Sequence, residues 1–410
     1  MAPTTRSKTR TTRSTVSQDT TTSTWTNSTR RKDLSSSNTT PTYQVNLSLP
    51  PEHRYDEICA DYKAFLGGIM PIYDDLLQDF TRRPRIIDFL AKSLLRRVHS
   101  SEESKEIHGI SKATGVPVHL VVAFNTFLDL FSGCSSGGVR VADAGSAGGP
   151  YRNGIVHFRG LDWAMDPLRQ LIICVEYIRD GQIVARAITY AGYIGILTGV
   201  RAGLSISLNY RVRFASSPAS LFAHRLHQAL VLLGFRPSIS SILRQILLSP
   251  SPPPSLASLA ETLSSRSTTP CYLIFCTPAS VLILEKDLKS AVVKTADDFL
   301  AVTNHDTRLE GLTPEEWRAM LQREGGAVHD VVLDSIERKE CISHLWKKEG
   351  KGLKVKDVVR QLQVQPVQNE CTHYSCVMDP SVDGGGLLWV RSYDDPVEMA
   401  QEEPVHPLDL

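Results

Sequence analysis

The order of elements along this chain predicts an α+β layered domain preceded by a helical segment. Three observations carry that prediction. Apolar residues recur three and four apart over residues 56–98 and again over 217–248. Alternating, β-branched runs fill the stretches between and after them, and two pairs of those runs are joined by Asp/Gly turns. No internal repeat interrupts the succession.

The globular pattern starts at Tyr43. Helices are expected over Glu57 to Leu66, Tyr73 to Phe80 and Arg85 to Val98. A further helix opens at Pro117, which suits a first turn, and runs to Phe131 before Ser132, Gly133 and Cys134 stop it. Ile155 to Phe158 is a short β-like run. Leu171 to Ile178 and Ile183 to Tyr190 flank Asp180 and Gly181, the signature of a hairpin with a two-residue turn. Tyr193 to Thr198 and Leu204 to Asn209 read as strands. Residues 217–248 return to helix, and Ser249 to Ser255 (SPSPPPS) breaks it before a helix at Leu256 to Leu263. Strands follow at Cys271 to Phe275, Ser280 to Glu285, Ser290 to Lys294 and Phe299 to Asn304. A helix at Val355 to Leu362 precedes a final hairpin, Glu370 to Met378 with Leu387 to Tyr393.

Composition narrows the function classes. The 410 residues carry 45 Lys plus Arg against 44 Asp plus Glu, so a formal net charge of +1 excludes electrostatically driven nucleic-acid binding by the whole chain. Hydrophobic residues at 41% and charged residues at 22% suit a soluble protein with a large core. No apolar run approaches the ~20 residues a membrane span needs, and no apolar stretch follows Met1 as in a secretory signal. Residues 1–42 hold 23 Ser or Thr and a net +5, with few sizeable apolar residues, which predicts a disordered tail. A mitochondrial transit reading lacks the apolar face that such a segment needs. Cytoplasmic residence is therefore expected, with mitochondrial import the alternative. Eight cysteines in so long a chain read as reduced thiols rather than a disulfide scaffold.

Among candidate chemical groups, Cys371, His373 and Cys376 lie in a strand-like run that places Cys371, His373 and Ser375 on one face. No second ligand pair with zinc-like spacing exists, so no metal and no cofactor is expected. Cys134 sits among Gly133, Ser135, Ser136, Gly137 and Gly138, and reads either as a small-residue turn with an incidental thiol or as a nucleophile. Arg159 and Asp162 end a β-like run, and Asn209 and Asn304 end strands. Two amides arriving beside a thiol make an oxyanion-hole constellation.

These residues, taken in order, resemble the acid ceramidase and N-acylethanolamine acid amidase family, N-terminal-nucleophile hydrolases of the choloylglycine hydrolase type. Val45 to Pro51 (VNLSLPP) and Arg54 to Glu57 (RYDE) are similar to the start of that family's small subunit. Ile110 to Pro117 (ISKATGVP) and Phe124 to Phe127 (FNTF) are similar to its last helix before the self-cleavage site. Cys134 to Ser136 (CSS) stands at its Cys-Thr-Ser nucleophile, Arg159 to Trp163 (RGLDW) at its Arg-x-x-Asp signature, and Ala191 to Gly199 (AGYIGILTG) at its most distinctive stretch. Thr303 to Asp306 (TNHD) parallels Thr-Asn-Tyr-Asp, and Asp334 to Arg338 (DSIER) a later Arg-bearing segment.

The resemblance implies a four-layer αββα fold, divided into a tail (1–42), a helical small-subunit segment (43–133) and a hydrolase segment (134–410). It implies self-cleavage before Cys134, with the two pieces staying associated. Cys134 would then attack an amide carbonyl with its own α-amine as base, while Arg159 favours the thiolate, Asp162 holds the amine, and Asn209 and Asn304 stabilise the oxyanion. Arg338, beside Glu337 where the family has two arginines, completes the set. The implied activity is ceramidase-like hydrolysis of N-acyl lipids to a fatty acid and an amine. The alternatives are an N-acylethanolamine or other N-acyl amide hydrolase, and a non-catalytic lipid-binding homologue. Transient membrane contact is expected, with the helices Leu221 to Phe235 and Ile239 to Leu248 either walling an apolar mouth or simply covering the sheet. Two departures stand out. An insert at 142–150 lengthens the path from Cys134 to Arg159, and Tyr210 follows Asn209 where lysosomal relatives have a carboxylate, which favours work nearer neutral pH.

Overall fold

The computed structural model describes residues 40–68, 91–127, 133–144, 153–212, 217–324, 326–349 and 352–397, all within one unit, Asn38–Leu410. The helices expected at Tyr73 to Phe80 and through residue 90, nearly all of the tail and most of the 142–150 insert lie outside the described residues.

Two stacked sheets form the centre. The chain enters through strand β1 (Thr42–Asn46) and helices α1 (Asp56–Gly67), α2 (Ser101–Thr114) and α3 (Val118–Phe127). It then makes β2 (Gly133–Val141), β3 (Gly154–Asp162), β4 (Ile172–Arg179), β5 (Gln182–Tyr190), β6 (Thr198–Arg201) and β7 (Leu204–Tyr210). Helices α4 (Pro218–Leu232), α5 (Ile239–Leu247) and α6 (Leu256–Ser265) follow. Strands β8 (Cys271–Cys276), β9 (Val281–Lys286), β10 (Ala291–Ala296) and β11 (Phe299–Val302) lead to helices α7 (Pro314–Glu324), α8 (Gly326–Glu349) and α9 (Val355–Gln361). The described fold ends with the hairpin β12 (Thr372–Asp379) and β13 (Gly386–Ser392).

The larger sheet runs β1-β4-β5-β6-β7-β8-β9-β10 and the smaller β11-β2-β3-β12-β13. Among the described residues all strand pairings are antiparallel except β1 with β4, so the first strand of the expected small-subunit segment is a hydrogen-bonded edge of the large sheet. Ile155 and Val302 of the smaller sheet pack against Tyr272, Ile274, Cys276, Val281 and Ile283 of the larger one. Behind the smaller sheet, Val139, Phe158 and Val377 meet Ile342 of α8 and Val358 of α9. Behind the larger sheet lie α5 and α6, in a core that also takes in α1–α3. The layers are thus helix, sheet, sheet, helix, as expected.

Local chemistry explains the agreements. Asp180 and Gly181 take φ of 51° and 77°, the paired left-handed conformation that a two-residue hairpin turn requires. The 217–248 region is two helices because Gly234, at φ +72°, ends the first. Three expectations need correction. Cys134 to Gly138 form a strand, not a turn: a Cβ on Gly137 would lie 2.2 Å from the Leu300 carbonyl and one on Gly138 2.4 Å from Val281, so small residues here allow close sheet packing. Tyr193 to Leu197 are not strand, since Gly192 adopts φ +83° and Tyr193 N donates back to Tyr190 O. His373 does not share a face with Ser375. The register of β12 against β3 shifts between Thr372 and Tyr374, and this bulge aims His373 at Tyr190 of the other sheet, 2.9 Å from its hydroxyl. Helices α2, α7 and α8 were not foreseen.

Candidate active site

β2 and β3 run side by side with Gly133 opposite Asp162 and Ser136 opposite Arg159. Alternation along β2 therefore sends Cys134 and Ser136 between the sheets and Ser135 toward α8. All six site residues expected from the sequence come together here, and all are buried.

On the inner face, Arg159 Nη2 approaches Cys134 Sγ at 3.3 Å, while its Nη1 donates to Asn209 Oδ1 at 3.0 Å and Ser136 Oγ at 3.3 Å. Ser136 Oγ in turn donates to Asn209 Oδ1 at 2.7 Å. Burial alone would depress the pKa of Arg159, but the negative potential of Cys134 and Tyr374 holds it above its usual value. A guanidinium so fixed stabilises a thiolate.

On the outer face, Asn304 Oδ1 accepts the Cys134 N–H at 2.7 Å and Arg338 Nη2 at 3.0 Å. Arg338 also donates to Ser135 Oγ at 3.0 Å and is ion-paired at 3.3 Å to Asp162 Oδ2, an oxygen that makes no hydrogen bond. Asp162 Oδ1 accepts from Thr372 Oγ1 at 2.8 Å. Burial pushes the Asp162 carboxyl above the usual carboxylate range, against the pull of Arg338. A carboxylate oxygen that makes no hydrogen bond, beside the strand that carries Cys134, is a ready acceptor for an ammonium group.

The two asparagines depart from the oxyanion role expected of them. Asn209 Nδ2 donates to the carbonyls of Val302 and Thr303, both at 3.2 Å, and Asn304 Nδ2 to Tyr210 O at 2.8 Å. Their amide oxygens, not their donors, face Arg159 and Cys134: Asn209 Oδ1 accepts from Arg159, and Asn304 Oδ1 accepts from the Cys134 nitrogen. The cause is local, because backbone carbonyls at these strand ends take up the amide donors. Sequence reasoning missed Ser136, Ser335, Thr372 and Tyr374. Ser136 was legible in the CSS run. Ser335 was legible only by placing DSIER on a helix, where Ser335 and Arg338 are one turn apart.

Comparison with known proteins finds similarity to two kinds of N-acyl amide hydrolase. Residues 38–99 match the family model of the beta subunit of N-acylethanolamine-hydrolyzing acid amidase. Rat (Rattus norvegicus) acid ceramidase is 27% identical over 188 residues, 42% of this chain and 45% of that protein. The Caenorhabditis elegans N-acylethanolamine-hydrolyzing acid amidase is 29% identical over 180 residues, 41% of this chain and 47% of the relative. This chain is related to the acid ceramidase and N-acylethanolamine acid amidase family. The matches span less than half the length of these family members. A solved structure of the C. elegans amidase ortholog superposes with a TM-score of 0.45 at 22% identity, covering 60% of this chain and 93% of that one.

Proposed function

We propose that this protein is an N-acyl lipid amidase that works through Cys134 as an N-terminal nucleophile. The observation that carries the reading is the pair of contacts on one residue: Sγ on the Arg159 guanidinium and N on Asn304 Oδ1. Cleavage of the Gly133–Cys134 bond would give pieces of 133 and 277 residues and free an α-amine. Such an amine has a reference pKa of about 7.7–8, suited to a general base near neutral pH. It takes the Sγ proton, the thiolate attacks the amide carbonyl, and the protonated amine gives its proton to the leaving nitrogen. Water then hydrolyses the acyl thioester to a fatty acid. Arg159 steadies the thiolate, Asn304 and Asp162 hold the amine, Arg338 balances Asp162, and Asn209 with Ser136 fixes Arg159.

Ceramide-like N-acyl amides are the first substrate class. The match of residues 38–99 to an N-acylethanolamine-hydrolyzing amidase favours N-acylethanolamines as the second. Both pieces would stay together, because β1 pairs with β4 and Glu106 of α2 is ion-paired to Arg244 of α5 in the buried core. Membrane approach is assigned to the α4 region alone, where Phe222 is 68% and Phe235 60% exposed, whereas α5 is buried on the sheet. Among the described residues no helix is long and apolar enough to cross a membrane.

The deciding experiment measures turnover of a panel of N-acyl amides by purified wild type and Cys134→Ala, with a denaturing gel of each. Wild type should show two bands and release fatty acid, and Cys134→Ala should do neither. Full activity in Cys134→Ala would end the reading.

A further inference from the structure

Behind the site lies a serine, histidine and glutamate in line. Ser335 Oγ is 2.8 Å from His305 Nδ1, and His305 Nε2 is 3.2 Å from Glu310 Oε1. These are the parts of a nucleophilic triad. Here the hydroxyl cannot act as one, because Ser335 is fully buried and its oxygen already accepts the Asn304 N–H at 2.6 Å. We propose instead that Ser335, His305 and Glu310 form a positioning relay that fixes Asn304 and, through its Oδ1, the nitrogen of Cys134. The inference rests on Cys134 being the N-terminal nucleophile.

Glu310 sets the direction of the relay. It accepts from His305 and is ion-paired to Lys339 of α8. Burial alone would raise its pKa, but the hydrogen bonds from His305 and Lys339 pull it down to about 2, so it remains an acceptor. A neutral imidazole whose Nε2–H serves Glu310 has its lone pair on Nδ1. Nδ1 can then accept a hydrogen bond from the Ser335 hydroxyl, whose oxygen accepts in turn from the Asn304 N–H. Thr303 Oγ1, also 2.8 Å from Ser335 Oγ, is the alternative acceptor for that hydroxyl.

The same helix turn holds the other end of the asparagine. Ser335 takes the Asn304 N–H, and Arg338, three residues on, donates to Oδ1 at 3.0 Å. Tyr210 O takes Nδ2. Every polar side-chain atom of Asn304 therefore has an assigned partner, and the residue can hold the Cys134 nitrogen in one place. His305 stands where the resembling motif has Tyr, so this part of the relay is a feature of this chain's own sequence. Displacing a reacting group by about 1 Å costs on the order of 10²-fold in rate without weakening substrate binding. A relay that only positions should act on kcat.

The test uses the processed protein and reads kcat and KM separately on an N-acyl amide. Ser335→Ala should lower kcat about 10²-fold with KM within about twofold, and Ser335→Thr should recover most of the loss. His305→Phe should match Ser335→Ala, and His305→Asn, whose amide reaches the Nδ1 position, should retain more activity. Should Ser335→Ala fail to fold, Glu310→Gln at the half-exposed end of the relay serves in its place, with a several-fold fall in kcat expected. An unchanged kcat in the folded variant, a loss carried by KM, or no rescue by Thr overturns the relay alone. Activity that survives Cys134→Ala and disappears in Ser335→Ala overturns it by making Ser335 the nucleophile. A wild type that cleaves neither itself nor any amide removes the Cys134 reading and the relay with it.

Discussion

Two histidines buried between the sheets should each contribute a loss of stability as the solution turns mildly acidic. His157 bridges Ser205 and Ser207 at 3.0 and 2.8 Å, and burial, then Arg159, pushes its pKa down to about 3. Burial, then Arg169, takes His373 to about 3 as well. In the unfolded chain an imidazole titrates near pH 6.5. Between about pH 6.5 and 3 the unfolded state therefore binds protons that the native state refuses, so stability is present above that window and is lost as the pH falls through it. From pH 7 to pH 5 the linkage amounts to about 2 kcal/mol for each histidine. Two such losses are a large share of the about 5–15 kcal/mol that holds a typical domain. Glu103 and Asp162, raised by burial, act in the opposite sense, so the wild-type slope alone is not diagnostic. The measurement is urea unfolding at pH 7 and pH 5 for wild type and His157→Gln, whose amide can still reach the two serines. The variant should lose about 2 kcal/mol less than wild type over this range. An equal loss in both proteins would refute a buried neutral imidazole at position 157.

Three shorter predictions concern the site and the surface. Asn304→Ala removes the acceptor of the Cys134 nitrogen, so self-cleavage and amide turnover should both fall by about 10²-fold, read on a gel time course and by fatty-acid release. Gly137→Ala drives a methyl into the Leu300 carbonyl and should cost about 1–3 kcal/mol, seen as a lowered melting temperature. Phe222→Asp with Phe235→Asp should weaken co-sedimentation with phospholipid vesicles while leaving the melting temperature within a few degrees, because both side chains are exposed.

Period and turn chemistry made most of the sheet framework readable. The hairpin at Asp180 and Gly181 and the run from Cys271 to Val302 follow from alternation and glycine placement alone. Failures occurred where packing overrode local pattern. Cys134 to Gly138 have the composition of a turn and become a strand because the second sheet presses on them from one side and β11 from the other. Helix α2 had a signal that went unused, Ser100 followed three residues later by Glu103; Ser100 Oγ accepts the Glu103 N–H, and Gly115 closes the helix at φ +81°. Helix α8 is charged on several sides and carries little helical periodicity, so nothing local marks the element that supplies Ser335 and Arg338 to the site.

The site was legible as a set of residue types and not as a set of roles. Spacing and resemblance bring Cys134, Arg159, Asp162, Asn209, Asn304 and Arg338 to one place, yet which atom of an amide faces the thiol depends on what the other atom must satisfy. The Asn209 amide donates to the carbonyls of Val302 and Thr303 and that of Asn304 to the carbonyl of Tyr210, and a buried carbonyl left unsatisfied costs about 1–3 kcal/mol. The amide donors go there. The oxygens are left to face Arg159 and the Cys134 nitrogen, and a pair expected to act as oxyanion donors instead holds a guanidinium and a backbone nitrogen. On the proposed Cys134 mechanism, that leaves Arg159 Nη2, 3.3 Å from Sγ, as the cation that would steady both the thiolate and the first charge of the tetrahedral adduct.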